Sequence, residues 1–160
     1  EYAAVLKNIY AIVCGVGTGL EVGQNTISML ITRSLAEMSR FAVSLGANPF
    51  TFLGLAGVGD LVATCTSPLS RNFQLGLRVA QGDTLDEAME QLGKLAEGVN
   101  TLEVIREKSQ ELGVHMPLVD GLFRVLFEGA NISEIFSDLM TSGDAVEFEF
   151  AAPESWGYKS

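Results

Sequence analysis

Apolar residues recur every three or four positions along most of the chain, a spacing that predicts amphipathic helices. The longest such helix is predicted to begin at an N-cap, Asn25, and to end at Leu45, with Gly46 stopping it. Its apolar stripe comprises Ile27, Leu30, Ile31, Leu35, Met38, Phe41 and Ala42. An earlier apolar segment starts at Tyr2, and its helix is predicted to stop at Gly15, Gly17 and Gly19.

Caps and breakers divide the remaining sequence into shorter helices. Pro49 opens one that ends between Gly54 and Gly59, and the next begins near Asp60. Further helices are predicted at 70–81, 85–92, 100–112, 117–127 and 133–140. Asp83 or Thr84 is predicted to cap the helix at 85–92, and Ser133 the last one. The pattern predicts an all-α protein: a helical domain at 1–140 and an irregular tail at 141–160, with a short strand hinted at 147–150.

Composition sets limits on the class of protein. The 160 residues are 48% hydrophobic and 19% charged, which is typical of one globular domain with a real core. The net charge of −10 argues against binding to nucleic acids or anionic membranes. Charged residues and glycines interrupt the apolar runs, so no membrane span is expected, and without a basic leader we expect a cytoplasmic protein.

The cysteines and the histidine indicate no metal site. Cys14 and Cys65 form no CxxC pair and have no histidine at ligand spacing, so both are predicted to be buried free thiols. His115, the sole histidine, is expected in a loop between helices.

The run from Gly15 to Gly19, GVGTG, resembles a nucleotide-binding loop only superficially. A Rossmann fingerprint requires a preceding strand, and here a helix is predicted instead. We therefore expect a helix-to-helix turn at this run and no dinucleotide-binding fold within the chain.

Three positions have residue types suited to phosphate or proton chemistry. Ser70-Arg71-Asn72 opens a helix, where free N–H groups and a guanidinium can bind an anion, although a capped surface helix explains the same residues. Lys7 lies in an apolar run and either extends to the surface or carries protons from a pocket. Asp60 follows Gly57 and Gly59 at a helix start and can be a plain N-cap.

Four segments together resemble the C-terminal domain of bacterial NAD(P)H-dependent glycerol-3-phosphate dehydrogenases. They read AVLKNIYAI at 4–12, ITRSLAEM at 31–38, GVGDLVATCTSPLSRN at 57–72 and EGV at 97–99. The order and spacing match over residues 1 to about 140. The resemblance implies a multi-helix orthogonal bundle like the C-terminal domain of 6-phosphogluconate dehydrogenase.

The resemblance also implies roles for individual residues. It implies that Lys7 is the catalytic proton donor and acceptor and also contacts the substrate. The other implied substrate contacts are Asp60, Ser70, Arg71 and Asn72, with Thr64 beside them. Contacts with NAD(P)H are implied for Arg71, Leu95 and Glu97.

The implied reaction interconverts dihydroxyacetone phosphate and sn-glycerol 3-phosphate for glycerophospholipid synthesis. The implied partners are an N-terminal Rossmann domain and a second copy of the protein in a homo-oligomer, expected to be a dimer. Because the Rossmann half is absent from this chain, we expect the isolated chain to be inactive. After Met140 the sequence departs from the family's basic stretch, so the resemblance implies nothing about the tail.

Two other functions fit the sequence. One is a non-catalytic helical module for dimerisation or regulation, derived from the same family. The other is a related hydroxyacid dehydrogenase with a different substrate, although the helix start at Ser70-Arg71-Asn72 favours a phosphorylated one.

Overall fold

The computed structural model describes residues 1–93 and 96–141, apart from the side chains of residues 55 and 56. Within these residues the chain forms helices joined by short loops and contains no strand, which confirms the all-α prediction. The helices are α1 (Tyr2–Gly19), α2 (Gln24–Ser44), α3 (Pro49–Ala56), α4 (Val58–Thr66), α5 (Arg71–Ala80), α6 (Leu85–Leu92), α7 (Glu97–Leu112), α8 (Pro117–Phe127) and α9 (Ile132–Thr141).

Helix α1 lies at the centre of the fold. Every residue from Ile9 to Gly17 is buried, so most of the helix is enclosed on all sides. It packs against α5 most extensively and also against α2, α3, α4, α7 and α8. A helix that is apolar around its whole circumference is stable only in such a position. Lys7 lies on the turn before this enclosed segment.

The prediction that Gly15, Gly17 and Gly19 end the first helix is wrong, because all three lie within α1. Their lack of a side chain allows close packing. A Cβ atom on Gly15 would lie 2.0 Å from the Phe73 carbonyl oxygen, and one on Gly76 of α5 would lie 2.0 Å from the Ile12 carbonyl oxygen. The glycines therefore let the backbones of α1 and α5 touch, and this gain outweighs their low helix propensity. The predicted turn at this run is absent.

Local cap signals predicted several helix ends well. Helix α8 has the predicted bounds, α3 begins at Pro49, and Thr84 forms a reciprocal capping box with Glu87 at the start of α6. Other cap predictions are wrong. Asn25 lies inside the first turn of α2 after the N-cap Gly23, and Asn131 rather than Ser133 accepts from the Glu134 amide. Helix α7 begins at Glu97, before the predicted Asn100.

A buried carboxyl group joins α1, α2 and α8. Glu37 is 1% exposed, and one of its oxygens accepts a hydrogen bond from the Tyr10 hydroxyl at 3.0 Å. The other oxygen accepts from the Leu118 amide at 2.5 Å, at the start of α8. Burial raises the pKa of Glu37 to about 7 in spite of these hydrogen bonds, which act in the opposite direction.

Both cysteines are buried free thiols, as predicted. A hydrogen bond with Cys65 and burial raise the pKa of the Cys14 thiol well above its usual range.

Among the described residues no helix is long and apolar enough to cross a bilayer. The predicted tail after Thr141, with its possible strand at 147–150, lies outside the described residues.

Candidate active site

Lys7 and Asp60 form an ion pair between α1 and α4. The Lys7 Nζ atom donates to Asp60 Oδ2 at 3.2 Å. The Lys7 side chain is 18% exposed and that of Asp60 is 74% exposed, so the pair lies where the enclosed helix meets solvent. A largely buried amine with one open side can hold a carbonyl oxygen and exchange a proton with it.

The local structure of α4 positions Asp60. Gly57 has φ +73°, a left-handed conformation that favours glycine, and it is the N-cap of α4. Asp60 then lies in the first helical turn, where a carboxylate is favoured by the helix dipole. Its side chain does not cap the helix, so the prediction of an N-cap at Asp60 is wrong. Thr64 follows one turn later on the same face and is half-buried.

The start of α5 has the predicted form. Ser70 is the N-cap, and its hydroxyl accepts from the Phe73 amide at 3.3 Å. Arg71 is the first helical residue and is exposed, so its guanidinium is accessible to an anion. The hydroxyl of Ser70 already accepts from a helix amide, whereas Arg71 is exposed in a turn whose first amides have no partner within the helix.

Asn72 joins the start of α5 to the start of α7. Its Oδ1 atom accepts from the Gly98 amide at 3.0 Å. Glu97, the first residue of α7, is exposed next to this bond. Leu95, the remaining predicted cofactor contact, lies outside the described residues.

The helices with the predicted site residues carry both acidic and basic groups, since Asp60 and Glu97 lie in the first turns of α4 and α7. The net charge is −10, yet Lys7, Arg71 and the N-termini of α4, α5 and α7 are carried by helices packed on α1. Each helix N-terminus has partial positive charge from its free N–H groups. In the part of the chain that the structure describes, no group of three acidic, cysteine or histidine side chains could hold a metal ion.

The structure brings positions chosen from the sequence together in two groups. Lys7 meets Asp60 directly, Ser70, Arg71 and Asn72 share one turn, and Asn72 reaches the turn that begins with Glu97. Sequence reasoning missed Gly98, which is buried at this junction against the Asn8 carbonyl. The glycine itself was the available signal, since glycine can mark close backbone approach, but the helix was predicted to begin only at Asn100.

The family described as NAD-dependent glycerol-3-phosphate dehydrogenase C-terminus matches residues 1–137. The chain belongs to this family. It is 57% identical over 150 residues to a glycerol-3-phosphate dehydrogenase [NAD(P)+] of Pseudomonas syringae pv. syringae (strain B728a), covering 94% of this chain and 44% of the relative. The same identity and coverage hold for a glycerol-3-phosphate dehydrogenase [NAD(P)+] of Azotobacter vinelandii.

A crystal structure of glycerol-3-phosphate dehydrogenase from Coxiella burnetii has a similar fold. It superposes with a TM-score of 0.84 at 36% sequence identity, covering 88% of this chain and 43% of that one. The chain thus spans less than half the length of the curated relatives it matches.

Proposed function

We propose that this chain is the substrate-binding and catalytic half of an NAD(P)-dependent glycerol-3-phosphate dehydrogenase. The complete protein would interconvert dihydroxyacetone phosphate and sn-glycerol 3-phosphate. The observation that carries this proposal is the Lys7–Asp60 ion pair, which joins α1 and α4 in a chain of this family.

Lys7 is the proton carrier in this proposal. Its ammonium group hydrogen-bonds the C2 oxygen of dihydroxyacetone phosphate, polarises the carbonyl and gives that oxygen a proton as the alcohol forms. Asp60 orients the ammonium group, since the two side chains are 3.2 Å apart. In the reverse direction neutral Lys7 takes the proton back from the C2 hydroxyl.

Arg71 is proposed to hold the phosphate group of the substrate. A guanidinium binds two phosphate oxygens at once, and the adjacent first-turn amides of α5 add further donors. Ser70, Asn72 and Thr64 complete the proposed substrate contacts. Fixing the phosphate sets the distance between C2 and Lys7, which is how binding accelerates the reaction.

Residues at the starts of α5 and α7 fit one edge of a dinucleotide. The exposed Arg71 suits phosphate charge, and the exposed carboxylate of Glu97 can accept from hydroxyl or amide donors. Leu95 is the third proposed contact. When bound, NAD(P)H would supply a hydride to C2 of the substrate. The remaining contacts are proposed to come from a Rossmann domain outside this chain.

Substitution of Lys7 in the full-length protein tests the proposal. Lys7→Met keeps the aliphatic stem and removes the proton, so we expect kcat for NAD(P)H oxidation with dihydroxyacetone phosphate to fall by about 10²–10⁴-fold. Lys108→Met on α7, whose amine pairs with Glu111 at 3.7 Å, is the matched control and is expected to keep normal turnover. Equal rates for the two variants would exclude Lys7 as the proton carrier.

The same assay separates the enzyme from a non-catalytic helical module. Absence of turnover on dihydroxyacetone phosphate by the unmodified full-length protein would favour the module.

We further propose that the full-length protein is a cytoplasmic homodimer and that the product of its reaction enters glycerophospholipid synthesis. Sedimentation of the full-length protein measures the oligomeric state.

A further inference from the structure

Helix α7 begins without a side-chain cap of its own. Its N-cap residue is Ala96, which has no polar side chain to accept from the free amides of the first turn. The Gly98 amide instead donates to Asn72 Oδ1 at 3.0 Å, from a helix 26 residues earlier in the chain. Asn72 therefore caps α7 from α5, which is a tertiary form of the usual N-cap.

Gly98 allows the start of α7 to approach two other helices. A Cβ atom there would lie 3.0 Å from Asn72 Oδ1, 3.0 Å from the Asn8 carbonyl oxygen and 2.9 Å from Ile12 Cδ1. These distances are tight for a Cβ atom. The end of the Ile12 side chain can move aside, whereas the Asn8 carbonyl is backbone and cannot rotate away. Lack of space therefore favours glycine here.

The junction of Asn8, Asn72 and Gly98 has a consistent relation to the proposed active site. The residue preceding each member of the junction in sequence is a proposed site residue: Lys7, Arg71 and Glu97 respectively. The three helices that carry the proton donor, the phosphate ligand and the cofactor contact thus meet at one point. A shift of α7 at this point changes the distance of Glu97 from both Lys7 and Arg71.

We propose that Asn72 and Gly98 are positioning residues that fix the cofactor-contacting start of α7 against the substrate-binding helices α1 and α5. The effect of this positioning on catalysis rests on the proposed dehydrogenase function. The evidence for the cap is the hydrogen bond from the Gly98 amide to Asn72 and the close approach of the helices at Gly98. Asn72 then has a structural duty through its oxygen in addition to any contact with substrate.

Hydrogen exchange in the full-length protein tests the cap independently of activity. Asn72→Ala removes the acceptor, so we expect the amides at the start of α7 to exchange at least tenfold faster. Asn72→Asp keeps an oxygen acceptor and places a negative charge at a helix N-terminus, so it should restore slow exchange. Unchanged exchange in Asn72→Ala would overturn the cap.

Kinetics of a glycine variant test the positioning role. We expect Gly98→Ala to raise KM for NAD(P)H and lower kcat/KM by tenfold or more, because small misplacements are costly in catalysis. Gly54→Ala on α3 is the matched control, since a Cβ there meets nothing within 4 Å. Equal kcat/KM in the two variants would overturn the proposal.

Failure of the proposed dehydrogenase function and failure of the positioning proposal can be distinguished. If the unmodified full-length protein does not turn over dihydroxyacetone phosphate, the proposed function is wrong, while the exchange data still decide the cap. If Gly98→Ala loses its folded circular-dichroism spectrum, the Asn72→Asp and Asn72→Ala pair decides the positioning role. Normal KM for NAD(P)H in Asn72→Ala would then overturn it.

Discussion

Glu37 places a carboxyl group in the core, where its charge is costly. Its pKa of about 7 in the folded protein lies above the ordinary value of 4.5, so the folded state binds this proton more tightly than the unfolded state does. The favourable contribution of Glu37 to the free energy of unfolding is therefore complete below about pH 4.5. It is lost as the pH rises to about 7.

Glu37→Gln is expected to remove this pH dependence. The glutamine carbonyl can accept from the Leu118 amide while its NH₂ group donates to the Tyr10 oxygen. The free energy of unfolding of the variant relative to wild type should rise between pH 4.5 and about 7, by on the order of 3 kcal/mol in total. Urea unfolding at several pH values measures this difference. Glu103→Gln, at an exposed position of α7, is the control, and curves parallel to wild type for both variants would contradict the prediction.

The position of Glu37 was readable from the sequence, although its partners were not. It falls on the same helical stripe as Leu30, Ser34 and Phe41, all of which are buried. An acid on a buried stripe requires hydrogen-bond donors, so a polar contact was predictable there. One donor, the Leu118 amide, is 81 residues away and has no signature in the sequence.

Helices α1 and α5 pack with their backbones in contact. The approach depends on Gly15 and Gly19 in α1 and on Gly76 in α5, because a Cβ at any of them would lie under 3 Å from atoms of the other helix. Such close packing brings Asn72 to the N-terminal half of α1, where the proposed site lies. From the sequence, these glycines predicted the end of a helix. That prediction failed because helix propensity describes an isolated helix and neglects packing between helices.

Gly76→Ala is expected to destabilise the fold by about 3 kcal/mol or more, because its Cβ would lie 2.0 Å from the Ile12 carbonyl oxygen and the helices must separate. Thermal or urea unfolding measures the change. Gly59→Ala in α4, where a Cβ meets nothing within 4 Å, should be neutral or stabilise by up to about 1 kcal/mol. Similar stability of the two variants would contradict the packing interpretation.

Under the proposed function, the described helices supply one side of a two-domain enzyme. The chain spans 44% of the relative from P. syringae, and its described residues contain no strand from which a Rossmann unit could be built. Lys7 lies on α1, and Asp60 and Arg71 lie on helices that pack against α1. Substrate contacts and most cofactor contacts are therefore expected on different domains.

We expect the isolated 160-residue chain to show no turnover of dihydroxyacetone phosphate with NADH or NADPH. The full-length protein is expected to oxidise NADH, NADPH or both under the same conditions. Loss of NAD(P)H absorbance measures the rates, and a circular-dichroism spectrum of the chain verifies that it is helical. Turnover by the chain at a rate comparable to the full-length protein would contradict this expectation.

Helix bounds such as Pro117–Phe127 followed from the sequence, because proline, caps and periodicity act within a turn or two of the chain. The residue types for phosphate and proton chemistry were also evident, and the resemblance supplied their roles. Tertiary structure alone decided that Lys7 meets Asp60, 53 residues away, and that Asn72 caps α7, 26 residues away. Local patterns do not specify such partners, because they are set by the packing of whole helices around α1.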